Sequence, residues 1–142
     1  MRYEAKYSDF WKSPSRFSQI CGPLTDQLKH GSVVEEDSYL IPCITAFAVA
    51  VESVEHRAEI HTRILQHFKS EDARVRRAMF NCQISLTEAL GEDWIGLFES
   101  SATYPVMSEA FEDDDEDVEN EARRWKIQIE EMTGESLDTR LQ

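Results

Sequence analysis

The stretch Asp72–Gly91, DARVRRAMFNCQISLTEALG, returns in altered form at Asp115–Gly134, DEDVENEARRWKIQIEEMTG. Laid on each other at an offset of 43 (118 − 75), Val75 meets Val118, Met79 meets Ala122, Cys82 meets Trp125 and Leu86 meets Ile129. Within each copy the apolar positions recur at intervals of four and three, the spacing of a single buried helical face. The ends match as well. Gly91-Glu92 aligns with Gly134-Glu135, and the acidic stretches Ser70-Glu71-Asp72 and Asp113-Asp114-Asp115, the first with two acids and the second with three, stand before the two helices.

Working outward, the rest of the chain also reads as helices joined by short polar turns. Ser13-Pro14 is a helix start, with Ser as N-cap and Pro at the first helical position. Phe17, Ile20, Cys21, Leu24 and Leu28 follow at helical spacing toward Gly31, and Pro23 inside this helix is expected to kink it. Asp37-Ser38 is expected to cap a second helix with the stripe Leu40, Ile44, Phe47 and Val51. A third helix is expected from about Glu55 to Phe68, with Ile60, Ile64, Leu65 and Phe68 inward. The fourth is the Asp72–Gly91 copy. A fifth begins at Asp93 with Trp94, Leu97 and Phe98, is interrupted near Tyr104-Pro105, and resumes through Val106, Met107, Ala110 and Phe111. The sixth carries Val118, Ala122, Trp125, Ile129 and Met132. No alternating run is long enough for a strand, and glycine and proline fall mostly at helix ends.

A period of about 40–47 residues with two helices per unit is the HEAT/armadillo pattern, in which helix pairs stack because neither helix can bury its apolar face alone. The reading is therefore all-α: a HEAT-like solenoid of three antiparallel helix pairs. A lead-in spans 1–12, helical repeats 13–134 and a tail 135–142. The sixth helix shows Glu119, Glu121, Arg123, Arg124, Lys126, Gln128, Glu130 and Glu131 outside its stripe, the polar coat of a terminal repeat. The first pair lacks such a coat. The expectation is the C-terminal end of a longer solenoid, with an apolar N-terminal face.

Charge bounds the function classes. Of the net −13, residues 1–111 carry 11 basic and 16 acidic side chains, and residues 112–142 carry 4 and 12. That balance argues against non-specific binding of nucleic acid or an anionic membrane by the whole domain. Cys21, Cys43 and Cys82 form no CxxC pair and no disulfide framework, which fits a reducing compartment. The start MRYEAKYSDFWKSPS lacks the apolar core of a signal peptide, and the apolar run Ala46–Val51 is too short to span a bilayer. A soluble intracellular protein is expected.

The acidic run Glu112–Glu121, EDDDEDVENE, invites a metal reading. Asp113, Asp115 and Asp117 have the alternate spacing of a calcium loop, but the sixth position is Val118 instead of Gly and the twelfth is Arg124 instead of Glu. Carboxylates at a helix N-terminus cap free N–H groups and oppose the macrodipole, so capping of the sixth helix is the better account. The surplus among Asp113, Asp114, Asp115, Glu116 and Asp117 is the candidate surface for a basic partner. Arg74, Arg76 and Arg77, with Lys69 nearby, form the one basic cluster of note. Part of it is expected to pair with acids on neighbouring turns, and the remainder is the candidate for RNA contact. His30, His56, His61 and His67 form no i, i+4 metal pair and are expected to be exposed or partly buried. No phosphate loop, nucleophile elbow or catalytic triad is visible, so no enzyme, cofactor or small-molecule substrate is expected. Trp94 and Trp125 read as core anchors, and Trp11 as an interface anchor.

Several pieces of this chain resemble a known family: FWKSPSRF (Phe10–Phe17), HFKSEDARVR (His67–Arg76), LTEALGEDW (Leu86–Trp94), EAFEDDDEDVENEARRW (Glu109–Trp125) and IEEMTGESLD (Ile129–Asp138). Together they are similar to the C-terminal end of the U-three small nucleolar RNA-associated protein ten family, most like its fungal members, which are large HEAT-repeat proteins of the small-subunit processome. One stretch departs from the family pattern: GLFESSATYPVMSEAF (Gly96–Phe111) is more polar than its leucine-rich counterpart and carries only Pro105. The resemblance implies a nucleolar scaffold in pre-ribosomal RNA processing. Its partners would be other processome subunits of the early transcript-binding subcomplex, with pre-rRNA and small nucleolar RNA touched indirectly or weakly. Direct RNA binding through the arginines is the alternative. An acidic nucleic-acid mimic or histone-type chaperone, resting on the net charge, is a third reading.

Overall fold

The computed structural model describes residues 13–30 and 39–142, and these are helical throughout apart from turns. The order is α1 (Pro14–Asp26), α2 (Leu40–Val51), α3 (Val54–Leu65), α4 (Ala73–Leu90), a short α5 (Glu92–Ile95), α6 (Thr103–Ala110) and α7 (Glu116–Thr133), with 3₁₀ turns at Gln27–Lys29, Gln66–Lys69 and Phe98–Ser100. Trp11 and the expected Asp37-Ser38 cap lie outside the described residues.

Local chemistry accounts for the helix ends. The Ser13 hydroxyl accepts from Arg16 N–H, with Pro14 at the first position, Ser53 accepts from His56 N–H, and Asp72 accepts from Arg74 N–H. The two sequence copies become helices of 18 residues each. The offset of 43 holds at both ends, from Ala73 to Glu116 and from Leu90 to Thr133. Gly91 (φ 57°) and Gly134 (φ 73°) terminate them in a region that penalises a Cβ, and each N–H closes the last turn, onto Thr87 and Glu130 oxygens respectively.

Two layers result. α2, α4 and α7 stack side by side with α4 in the middle, α1 packs on α3, and α6 lies on α7. This is the HEAT-like double layer, with α1/α2, α3/α4 and α6/α7 as its pairs. One continuous core runs through it. Phe17 stacks on Phe47 at 5.6 Å and on the His56 ring at 3.9 Å, tying together the first three helices. Trp125, fully buried, meets Phe98 edge-on at 5.2 Å and Phe80 at 6.0 Å, tying α4 to α7. The tail returns along the stack, burying Leu137 and accepting a Ser108 hydroxyl at the Leu141 carbonyl.

The structure corrects three expectations. The fifth helix breaks at residues 96–102, ahead of Tyr104-Pro105. The Ser101 hydroxyl donates to the Leu97 and Phe98 carbonyls that a continuing helix would use, and Pro105 sits in the first turn of α6, where its missing N–H costs nothing. Ile20 and Met132, placed on buried stripes by spacing, are 42% and 43% exposed. His61, expected at least partly exposed, is 1% exposed in the core.

Candidate functional site

The acidic turn and the arginine cluster are brought together where the repeat units meet. Arg76, in the first turns of α4, forms a two-pronged ion pair with Asp113: Nε donates to Oδ2 at 3.0 Å and Nη2 to Oδ1 at 2.9 Å. Its third nitrogen donates to the Ser70 carbonyl at 2.9 Å. The pair is largely withdrawn from water, with side-chain exposures of 15% and 8%. Burial alone would raise the Asp113 carboxyl pKa, but Arg76 and the Asp115 N–H, which donates to Oδ1 at 2.9 Å, hold it below the usual carboxylate value. The Asp113 hydrogen bond in turn raises the Arg76 guanidinium.

The other two arginines are engaged as well. Arg74 turns back on the α4 cap, donating to Asp72 Oδ1 at 3.1 Å and Oδ2 at 2.9 Å, which lowers the Asp72 pKa. Arg77 reaches Asp117 at 3.4 Å on the exposed side of the same seam. Asp115 is the N-cap of α7, its Oδ1 accepting from Val118 N–H at 3.0 Å. The three alternate aspartates therefore face a guanidinium, a helix N-terminus and a second guanidinium, and do not converge on a common point. Asp114 and Glu116 are exposed, and Asp114 lies with Glu109, Glu112 and Phe68 around a shallow cleft beside the seam. Further along α7, Glu119 pairs with Arg123 at 3.2 Å and Glu121 with Arg124 at 2.7 Å. Of the sequence-predicted site residues, the structure joins Arg76 to Asp113 and Arg77 to Asp117, and leaves Asp114 and Glu116 to solvent.

A buried polar chain escaped the sequence reading. The Trp94 indole N–H, which can only donate, points at Gln83 Oε1 at 3.0 Å. That sets the Gln83 amide, so its NH₂ donates to His61 Nδ1 at 3.2 Å. His61 Nε2–H then donates to Thr103 Oγ1 at 2.7 Å, and Thr103 contacts Ser101 Oγ at 2.7 Å. Burial pushes the His61 pKa down to about 4, and an amide NH₂ at Nδ1 leaves no acceptor for a second ring proton. The network links α3, α4, α5 and α6 with neutral groups, and the second tryptophan extends the pattern by donating to Thr87 Oγ1 at 2.9 Å. The available signal was polar residues placed one position after the apolar stripe: His61 after Ile60, Gln83 after Cys82, Thr87 after Leu86. A second unforeseen contact is Arg57, whose Nε and Nη2 cap the end of α2 at the Ala48 and Val49 carbonyls, 2.9 and 3.1 Å away.

No family model matches the chain. Individual proteins do. Over 140 residues, 99% of the chain, it is 38% identical to U3 small nucleolar RNA-associated protein 10 of Chaetomium globosum. It is likewise 38% identical over 143 residues to the protein of that name in Pyricularia oryzae, and 40% identical over 134 residues to that of Phaeosphaeria nodorum. The chain spans 8% of the length of each of these relatives. The resemblance read from the residues is thus present across nearly the whole chain, as a match to a small part of much longer proteins.

Proposed function

We propose, from its similarity to a segment of U3 small nucleolar RNA-associated protein 10, that this chain is part of a nucleolar ribosome-biogenesis factor. Within that role it is a non-catalytic interaction module. It joins other subunits of the small-subunit processome, in the early transcript-binding subcomplex, and meets pre-rRNA and the small nucleolar RNA through them. The observation that carries the scaffold reading is the Arg76–Asp113 seam. The three arginines of the basic cluster each pair with a carboxylate of the same chain, which reduces the positive charge left to track an RNA backbone. Stacked helix pairs present an extended surface of the kind that helical-repeat proteins use to bind partners.

A crosslinking map of the assembled pre-ribosomal particle tests this. Crosslinks from the segment to protein subunits, with few to RNA, are the expected outcome. A dominant set of RNA crosslinks at Arg74 and Arg77 would replace the scaffold by direct RNA binding. Capture of basic protein tails that is lost on neutralising Asp114 and Glu116 would replace it by the acidic-mimic reading.

A further inference from the structure

We propose that the segment after α7 is a tethered ligand. It sits in a groove that also takes a helical turn of a protein partner, one with two leucines four apart, an acid after the first and an arginine before the second. The groove deepens the interaction-module reading, on which it rests, by giving one partner's chemistry.

α7 stops at Gly134, whose left-handed φ of 73° sends the chain back along the stack. Leu137 to Leu141 then make one helical turn, closed by the Leu141 N–H donating to the Leu137 carbonyl at 3.1 Å. The spacing of four puts both leucines on one side of that turn. Leu137 is buried, and Leu141 is half-buried against the core. The charged residues between them are read one by one. Asp138 meets Lys126 Nζ of α7 at 3.1 Å. Arg140 donates to Glu99 Oε1 at 2.8 Å, and its guanidinium lies 5.9 Å from the centre of the Tyr104 ring. The backbone is held too. Glu130 takes the Leu137 N–H at 2.8 Å, and the Ser108 hydroxyl donates to the Leu141 carbonyl. Apolar anchors at i and i+4 are how a groove recognises a partner's helix, and the flanking charges fix its register.

The tail is replaceable in three respects. Both ion pairs stand in water, with the Asp138 and Glu99 side chains 73% and 64% exposed, so they select a register more than they add strength. Among residues 135–142 Leu137 alone is buried, so the segment opens far more often than the stack beneath it. The fit is also incomplete. A cavity of about 200 Å³ lies beside Leu137 and Arg140, walled by Ile95, Gly96, Tyr104, Ile129 and Thr133. A partner helix that continues past a single turn, with bulkier apolar side chains, fills that space and adds contacts the tail lacks.

The probe is a fluorescein-labelled peptide of the tail's own sequence, GESLDTRLQ, titrated by anisotropy against the full 142-residue chain. Two variants of the chain lift the tail by different means: Leu137→Asp at its anchor, and Asp138→Lys with Arg140→Glu at its ion pairs. A tail that is open about 1% of the time weakens a competitor about a hundredfold. We therefore expect saturable binding to Leu137→Asp at about 10–100 μM, the millimolar effective concentration of a tether divided by that factor, and about a hundredfold weaker binding to the intact chain. The charge-reversed variant, whose groove is unaltered, should bind at least about tenfold more tightly than the intact chain. A peptide carrying the Leu137→Ala change should not bind. No binding to either variant, equal binding to the intact chain, or full binding of the altered peptide overturns the proposal. Dimers of the intact chain that the peptide dissociates overturn it in favour of tail exchange with a second copy. None of these results touches crosslinks from other surfaces of the segment to protein subunits, so the groove and the interaction-module reading fail separately.

Discussion

At the scale of residues, two buried polar arrangements carry most of the specificity. Arg76 and Asp113 meet 37 positions apart with both forks filled. Removing either partner leaves the other charge half-buried, at a cost of about 3 kcal/mol. In a double-mutant cycle, Arg76→Ala and Asp113→Ala should therefore couple by about 2 kcal/mol in urea unfolding, well above the range of an exposed ion pair. His61 gives a pH signature. Its folded pKa is near 4 while the unfolded value is ordinary, so the unfolded state binds more protons between about pH 6.5 and 4. Stability is complete above that window and falls as pH drops through it, by about 3 kcal/mol in total. His61→Gln should flatten that slope, which urea melts across the window will read. Neither arrangement could be read in full from sequence. The pairing of arginines with nearby acids was expected, but which acid meets Arg76 depends on how the repeats pack. His61 looked like any helix histidine, because its partners Gln83 and Thr103 lie 22 and 42 positions away.

At the scale of elements, the helices were legible where the chain marks its own ends. Asp72 and Asp115 cap equivalent helices, and Gly91 and Gly134 stop them, which is why the offset of 43 survives at both boundaries. Asp115→Ala should lower stability by about 1 kcal/mol through loss of the α7 cap, measured by thermal melting. Gly91→Ala should cost about 1–2 kcal/mol, since φ 57° with ψ −128° is strained for a residue with a Cβ although there is room for one. Around α5 and α6 the signals were weaker. Pro105 attracted the break to itself, yet proline is compatible with a first helical turn, and the hydroxyl of Ser101 holds the real interruption several residues earlier.

At the scale of the whole molecule, the tail straps one end of the helical stack through Lys126–Asp138 and Arg140–Glu99. Leu137 completes the strap: it is 2% exposed, and its N–H is held by Glu130 at 2.8 Å. Leu137→Ala should cost about 2–3 kcal/mol and loosen the strap, seen as faster amide exchange at Leu141. The architecture was legible because periodicity and repeat length are properties of the whole chain. The use of the charged surface was not, because net charge does not say which charges are already paired. RNA affinity tests that point most directly. Fluorescence anisotropy of a labelled single-stranded RNA should show no saturable binding by the isolated chain at near-physiological salt, and no change on Arg74→Glu with Arg77→Glu. Tight binding that weakens steeply with salt and disappears in that double variant would contradict the assignment of these arginines to carboxylates of the same chain.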